Sequence, residues 1–427
     1  MNPESHSIAF GPFSLDLASD CLRRDGGPIS LRPQAFRALK ALVSHSGRHL
    51  DHEQMIRQAW DGVLVSKHTV TVTIGEVKRI LGEYGAWISC HPRLGYCLEV
   101  PESEDLLRTG WHFLNRRTRE DLEKALACFE RAAEETGAET RALEGIAHAY
   151  LLLGVYAIRA PRDSYPHFLA AHRKVVERHG YTPALRVDRA LGLHSFEFRF
   201  EEAEAQLLLA QEAQPRFAEV YVRLAMLYVS WNRMDQALDM LAQARAADVL
   251  GPPLAMAEIL VHFCRREFEL AAECGRKVLE LHPYLQTVLT FHANALEFCG
   301  LFELALDQYR KASALAPDLP WHRAMEGACL ARMGRMREAA EMLALLRRKQ
   351  RTEYVDGYHL SLLLEAMGRR EEAFVELMRA EKDDCPTLSM LAVDPKMDNL
   401  RLDPRFSELQ KRLFQKHHLL SEPASAA

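Results

Sequence analysis

The amino-acid sequence predicts two successive parts of different fold class, an α+β domain over about the first 100 residues and an all-α solenoid of helical repeats after it. Two observations predict this division. The first hundred residues carry short strand patterns, three helix patterns and a terminal hairpin pattern. Beyond residue 200, small side chains recur every 34 positions, which is the spacing of a repeated pair of helices.

The composition of the 427-residue chain is typical of a globular protein with roughly two to four domains. No run of about 18 apolar residues occurs, and the N-terminus lacks a basic region followed by an apolar core. We therefore expect neither a membrane span nor a secretion signal. Nine cysteines are scattered without a CxxC pair, which argues against zinc and against a disulfide framework. This pattern favours a cytoplasmic chain with reduced thiols.

Strand and helix patterns follow one another through the first 65 residues. Apolar and polar side chains nearly alternate in parts of residues 8–31, which predicts short strands. Pro33 suits the first turn of a helix, and Asp51 can cap a second helix with its side-chain oxygen. Residues 61–65 form a short turn that leads into a third helix.

The third helix, Ser66 to Leu81, is the segment around which the first part is organised. Ser66 can cap it, and apolar residues at helical spacing give it one stripe for the core: Val70, Ile74, Val77 and Leu81. The opposite face carries small, hydroxylated and basic groups, which suit entry into a DNA major groove. We call this segment the recognition helix. An ordinary amphipathic helix with a solvated back is the alternative interpretation.

Residues 87–100 predict a β-hairpin, or wing, with a loop around residues 91–95. Strands, three helices and a terminal hairpin are the layout of a winged helix-turn-helix. The matching residues are FGPFSLDL…CLRRDGGPISLRPQAFRALKALV, the passage from Leu50 through Trp60 to Ser66, and Gly95-Tyr96 in the wing. Over residues 7–100 the sequence resembles the OmpR/PhoB-type DNA-binding domain, in the N-terminal position that CadC-, ToxR- and HilA-like regulators use.

The resemblance implies a set of DNA-binding positions in the recognition helix and the wing: Lys67, His68, Thr69, Thr71, Val72, Thr73, Lys78, Arg79, Arg93 and Tyr96. It also implicates the turn before the recognition helix in contact with RNA polymerase: Asp61, Gly62, Val63 and Leu64. Members of the family usually have several basic residues at the positions of His68, Gly75 and Glu76. The arginine that the family has in its wing is displaced by one position in this chain.

Because of these differences from the family, we expect fewer contacts with DNA phosphates. Residues 1–100 hold 11 Lys/Arg and 10 Asp/Glu, a net charge of +1, so we expect weak DNA affinity per monomer. The sequence before residue 7 is too short for a receiver domain, so we expect none before the winged helix. We therefore expect the phospho-aspartate switch of this phosphorelay family to be absent and the signal to enter through the rest of the chain.

The 34-residue spacing is kept without a slip by six alanines: Ala203, Ala237, Ala271, Ala305, Ala339 and Ala373. Five positions before each lies the predicted turn between paired helices, and twelve positions after three of them stands a proline: Pro215, Pro283 and Pro317. This is the tetratricopeptide signature. Before Ala203 the phase is lost, residues 101–105 predict a polar linker, and residues 394–413 predict a closing cap.

We expect the boundaries to be 1–101 for the winged helix, 102–420 for the repeats with their cap, and 421–427 for a disordered tail. The function we predict is a DNA-binding transcriptional regulator that reads double-stranded promoter DNA. Its repeats bind a protein or peptide partner, an effector or a second protomer. The alternative is a protein-interaction adaptor whose winged helix no longer binds DNA specifically. Nucleotide-binding, metalloprotease and hydrolase signatures are absent, so we expect no enzyme and no cofactor.

Overall fold

The computed structural model describes residues 7–24, 27–135, 138–247 and 252–418. The tail that we expect to be disordered lies outside these residues. The chain divides into two compact units: residues 1–115 together with 124–145, and residues 116–123 together with 146–427. Among the described residues, no helix is long and apolar enough to cross a membrane.

The first unit begins with a four-stranded antiparallel meander, in the order β1 (Ser7–Phe10), β2 (Phe13–Asp16), β3 (Cys21–Arg24) and β4 (Gly27–Ile29). Leu15 pairs with Leu22 across β2 and β3, and both side chains are fully buried. Alternation along each strand places these apolar side chains on one face of the sheet. The short strands that we predicted for residues 8–31 are confirmed.

Three helices follow, α1 (Pro33–Ser44), α2 (His52–Ala59) and α3 (Lys67–Leu81). Pro33 occupies the first turn of α1 as predicted, and Asp51 caps α2 by accepting from the backbone N–H of Gln54 at 2.8 Å. The Gln54 side chain accepts from the Asp51 N–H in return, which completes a capping box. A 3₁₀ turn (Gly82–Trp87) then leads to the hairpin of β5 (Ile88–His91) and β6 (Gly95–Leu98).

Our prediction of a polar linker at residues 101–105 is wrong. Helix α4 (Glu102–Arg116) begins there, followed by α5 (Arg119–Ala133) and α6 (Glu139–Val155). Residues far along the chain hold the first turn of α4. Arg141 donates to Glu104 at 2.6 Å, and the carboxylate of Glu135 accepts from the backbone N–H of Ser103 at 3.1 Å. The first-turn carboxylates also suit the positive end of the helix dipole.

Beyond α6, the second unit is a run of helices joined by short turns: α7 (Pro161–His179), α8 (Pro183–Ser195), α9 (Phe200–Ala213), α10 (Ala218–Ser230), α11 (Met234–Ala246), α12 (Pro252–Cys264), α13 (Phe268–Leu281), α14 (Gln286–Phe298), α15 (Phe302–Leu315), α16 (Pro320–Arg332), α17 (Met336–Lys349), α18 (Gly357–Ala366) and α19 (Arg370–Lys382). From α8 onward consecutive helices pack as antiparallel neighbours, and alternate helices also contact one another. This is the arrangement of a tetratricopeptide solenoid.

The alanine spacing marks the points of closest helix approach. All six alanines are fully buried in the solenoid core. The predicted turn positions all have positive φ, from 53° at Phe198 to 78° at Gly334, and three of the six are not glycine. A left-handed residue ends one helix so that the next can fold back against it. The three prolines follow the ends of α9, α13 and α15, as the spacing predicts.

The C-terminal part folds back against the inner helices of the solenoid. Two 3₁₀ turns (Pro386–Met390 and Pro395–Met397) precede α20 (Asp398–Arg401) and α21 (Pro404–His418). The first of these turns packs against α8 and α10, and Arg266 forms an ion pair with Asp398 at 2.5 Å. The predicted cap is therefore longer than residues 394–413, because residues 386–393 also belong to it.

Candidate nucleic-acid interface

Helix α3 is fixed by its cap and by one buried stripe. The hydroxyl of Ser66 accepts from the backbone N–H of Thr69 at 3.2 Å, which confirms the predicted cap. The four apolar residues of the predicted stripe are all buried, with at most 2 % of each side chain exposed. Burial of this stripe orients the helix and leaves the opposite face in solvent.

The solvent face of α3 presents side chains suited to a DNA groove. The exposed residues are Lys67, His68, Thr69, Thr71, Val72, Gly75 and Arg79. Val72 is 55 % exposed although it is apolar, so its methyl groups are free to contact a partner. Lys78 is half-buried on the same flank of the helix as Thr71. Hydroxyl, guanidinium and methyl groups on one helix face can reach base edges in the major groove.

Thr73 does not belong to this surface. Its side chain is 8 % exposed, and its hydroxyl donates to the backbone carbonyl of Thr69 at 2.9 Å. At about 100° per residue, position 73 lies beside the apolar stripe, so the buried arc of the helix includes it. The prediction that Thr73 contacts DNA is corrected on this ground.

The wing is held against the helical core by a backbone bridge. Leu50 and Tyr96 exchange both N–H···O=C bonds, at 2.7 and 2.9 Å. Gly95 has a φ of 93°, and a Cβ atom there would lie 1.9 Å from the carbonyl oxygen of Leu50. Only glycine fits such a close approach in the left-handed region. Arg93 lies exposed in the loop between the two wing strands.

A side-chain contact joins the wing to α3. The hydroxyls of Thr71 and Tyr96 lie 3.1 Å apart, and the Thr71 hydroxyl also donates to the backbone carbonyl of Lys67 at 3.0 Å. The predicted helix residues and the predicted wing residues therefore form one continuous surface. The hydroxyl of Tyr96, which the resemblance places among the DNA-binding positions, is thus also in contact with Thr71.

The acidic residue of α3 has its own partner. Glu76 lies 3.5 Å from the guanidinium of Arg32, which precedes α1. Glu76 is mostly buried, and the guanidinium of Arg32 lies beside its carboxylate. Because Arg32 is largely exposed, this ion pair adds little to the stability of the fold. The negative charge of Glu76, at a position where the family often has a basic residue, is thus partly compensated by a cation outside the helix.

The structure adds one group near the wing that we did not predict. The ring of His49 lies 6.2 Å from the ring of His91 in an edge-to-face arrangement. The Leu50–Tyr96 bridge brings these rings together across about 40 positions of sequence. No local pattern marks His49, and only knowledge of the strand pairing would have revealed its position.

The turn before α3 exposes apolar side chains. Asp61 and Gly62 both have positive φ, and Arg37 pairs with the Asp61 carboxylate at 3.0 Å. Beyond them Val63 is 65 % and Leu64 is 91 % exposed. Two adjacent exposed aliphatic residues on a constrained turn are available for contact with another protein.

Two known protein families match this chain, one in each of the two parts that the sequence predicts. Residues 26–98 match the family described as "Transcriptional regulatory protein, C terminal". Residues 218–244 match the family described as "Tetratricopeptide repeat". These segments contain the recognition helix with its wing, and the pair α10–α11.

Two curated relatives share part of the sequence. The transcriptional activator CadC of Escherichia coli is 30% identical over 84 residues, which are 19% of this chain and 16% of the relative. The Vi polysaccharide export protein VexE of Salmonella typhi is 31% identical over 147 residues, which are 33% of this chain and 22% of the relative. The chain thus spans less than a quarter of the length of either relative.

Solved structures similar to this chain include several helical-repeat proteins. A subunit assembly of the APC/C, Cut9–Hcn1, has a TM-score of 0.48 and 14% identity, with 89% of this chain and 72% of that chain covered. A tetratricopeptide repeat protein from Parabacteroides merdae has a TM-score of 0.36 and 12% identity, with coverage of 74% and 100%. The matching family segments and the observed folds agree: the chain combines an N-terminal winged helix-turn-helix domain similar to the OmpR/PhoB type with C-terminal tetratricopeptide repeats.

Proposed function

We propose that this chain is a DNA-binding transcriptional regulator. Residues 1–101 read double-stranded promoter DNA, and the repeats at 102–420 sense a protein or peptide partner, an effector or a second protomer. The observation that carries the proposal is the Thr71–Tyr96 contact. It joins the solvent face of the recognition helix to the wing, so that one rigid surface can engage a groove and the backbone beside it.

Each side chain of this surface has a role that follows from its chemistry. His68, Thr69, Val72 and Arg79 lie on the face that enters the major groove, where they contact base edges. The cations beside that face and in the wing loop bind phosphates and fix the register: Lys67, Lys78 and Arg93. Because regulated promoters are read inside the cell, the proposal places the chain in the cytoplasm. It requires neither a cofactor nor catalysis.

The exposed turn at Asp61–Leu64 is proposed to contact RNA polymerase. Its two aliphatic side chains and the paired Asp61 lie in the same small domain as the recognition helix, so DNA binding would present them beside the promoter. A substitution of Leu64 to Ser should then reduce promoter activation while leaving DNA affinity unchanged. Loss of DNA affinity in this variant would instead make the turn part of the DNA surface.

The test of DNA binding is recovery of genomic fragments by the purified full-length chain at low and moderate salt, followed by sequencing. We expect a small number of promoters with repeated half-sites. Replacing Lys78 and Arg93 with Gln should lower affinity and reduce the dependence of binding on salt, because fewer counterions are released. Lys40→Gln on the exposed face of α1 is the matched control and should bind as the unmodified chain does.

A second candidate function is supported by the apolar groups near α3. Val63, Leu64, Val72 and Leu94 are each more than half exposed, and the first domain carries little net positive charge. Exposed aliphatic side chains favour protein contact. In this alternative the winged helix is a protein-interaction adaptor without specific DNA binding. Uniform, salt-labile recovery of genomic fragments would support the adaptor and contradict the regulator.

A further inference from the structure

The second unit contains a partly open cavity of about 240 Å³, which the proposed DNA surface does not use. The inner helices of the solenoid surround it, from α6 through α18. The first segment of the C-terminal cap closes part of the channel that these helices form. The cavity therefore lies inside one unit and is bounded by the chain's own residues.

The cap fills space that an extended peptide would need. The hydroxyl of Ser230 on α10 lies 3.0 Å from the sulfur of Met390, and the hydroxyl of Tyr358 on α18 donates to Asp394 at 2.7 Å. Asp394 also pairs with Lys396 at 3.2 Å. These contacts tie the cap to helices from distant repeats, so the cap occupies part of the channel and narrows the space that remains.

Most of the cavity wall is apolar and contains flexible side chains. The apolar lining includes Met226, Met256, Leu260, Phe291, Met325 and Met390. Methionine side chains adapt to ligands of different shape. Since an apolar cavity of about 150 Å³ holds benzene, this cavity has room for an apolar body of roughly ten heavy atoms. Sites for small ligands usually combine such a wall with a few polar groups.

The polar part of the lining has an excess of one cation. Arg223 donates to Glu219 at 3.0 Å, and Lys396 pairs with Asp394, so these charges compensate one another. Arg117 instead donates to the hydroxyl of Tyr156 at 2.5 Å; within the described part of the chain it forms no close ion pair, and Glu219 attracts it only from a greater distance. Because Glu219 is already paired with Arg223, the partly buried guanidinium of Arg117 favours an anionic ligand.

We propose that this cavity binds a small amphipathic carboxylate, with its apolar body against the methionine-lined wall and its carboxylate at Arg117. The inference deepens the proposed sensing role of the repeats by naming the chemical class of the effector. Binding of the carboxylate to Arg117 would compensate the excess positive charge of the lining. The apolar body would fill space beside the cap.

The test is isothermal titration calorimetry of the full-length chain, without DNA, with the saturated carboxylates octanoate, decanoate and dodecanoate as probes. We expect saturable binding of one molecule per chain for at least one probe. Decylammonium should bind at least about tenfold more weakly than decanoate, because it cannot form the charge-assisted bonds to Arg117. Arg117→Gln should weaken carboxylate binding by about tenfold and should remove the preference for the anion.

Two further variants separate a specific site from general adsorption. Met256→Trp should abolish binding by filling the cavity, whereas Arg337→Gln, whose guanidinium side chain is 93% exposed, should leave binding unchanged. Thermal unfolding shows whether each variant is folded, and the comparison of decanoate with decylammonium needs no variant. Absence of one-to-one binding for all three carboxylates, or equal binding by Arg117→Gln, overturns the proposal. Because DNA is absent, these outcomes are independent of whether the winged helix binds promoters.

Discussion

Substitution of Gly75 tests how closely the recognition helix would approach DNA. A Cβ atom at this position meets nothing within 4 Å, so the fold itself has no need of glycine. Gly75→Ala should stabilise α3 by about 1 kcal/mol, since glycine is a poor helix former. Native-state hydrogen exchange of the α3 amides measures this change in the full-length chain.

The same variant should bind promoter DNA several-fold more weakly, because the added methyl group would separate the helix backbone from the groove. Stability and affinity are therefore expected to change in opposite directions. A more stable variant with unchanged affinity would contradict the close approach and would leave Gly75 without a role.

Buried histidines make the stability of the second unit depend on pH. Burial lowers the pKa of His322 to about 3, with a smaller contribution from nearby His359, and its Nδ1 lies 2.7 Å from the Thr290 hydroxyl. Burial likewise lowers the pKa of His194 to about 4. Between pH 6.5 and these values the unfolded chain binds protons that the folded chain does not, so the free energy of unfolding falls as pH decreases.

Each such histidine changes the free energy of unfolding by up to about 1.4 kcal/mol per pH unit in this window. His322→Gln should therefore unfold with a smaller pH dependence than the unmodified chain. Urea denaturation between pH 7.5 and 5 measures the difference, and His282→Gln, at an exposed position, is the control. Equal slopes for His322→Gln and the unmodified chain would show that His322 does not supply this dependence.

Some features of individual residues were predictable from the sequence, and others were not. The cap at Ser66 and the apolar stripe of α3 were predictable because both are local and periodic. The burial of Thr73 was not, because the stripe alone does not show how wide an arc of the helix the core covers. Gly95 was matched by resemblance, but the reason for it, the carbonyl of Leu50, depends on a non-local strand pairing.

The turns between paired helices are the basis of a second prediction about stability. Gly334 has a φ of 78°, and its surroundings would accept a Cβ atom, so any effect of Gly334→Ala comes from the backbone. The variant should destabilise the second unit by about 1–2 kcal/mol, the usual difference for a left-handed residue with a side chain. Chemical denaturation of the full-length chain measures the loss.

Asn232 occupies the corresponding turn three pairs of helices earlier in the repeat series, with a φ of 58°. Asn232→Gly, as the reverse control, should leave stability unchanged or raise it, because asparagine tolerates this region better than other residues. An increase in stability of Gly334→Ala would mean that the turn adopts another conformation.

Element boundaries were predictable where a period or a cap marks them. The six alanines fixed the phase of the later repeats over more than 160 residues, and the structure buries all of them. Helix α4 was missed because its first turn is acidic and polar. Its charges are compensated by Arg141, which lies far along the chain, and a local pattern cannot show such a partner.

For the whole molecule, the weak DNA binding that we expect of one winged helix raises the question of how the proposed regulator would select promoters. The recognition surface offers few cations, and phosphate contacts supply much of the affinity of DNA-binding proteins. We propose that two protomers, linked through their repeats, bind repeated half-sites in tandem. Linkage makes the second binding event intramolecular, so affinity can rise without any new contact to DNA.

Duplexes recovered from genomic DNA should therefore bind the full-length chain at least about 100-fold more tightly when both half-sites are intact than when one is scrambled. Fluorescence anisotropy with the two-site, one-site and fully scrambled duplexes measures this ratio, and the fully scrambled duplex sets the non-specific level. The two-site curve should also be steeper, since the second protomer is recruited by the first. Equal affinity for the one-site and two-site duplexes would show that a single winged helix accounts for promoter selection, and the repeats would then serve only to sense their ligand or partner.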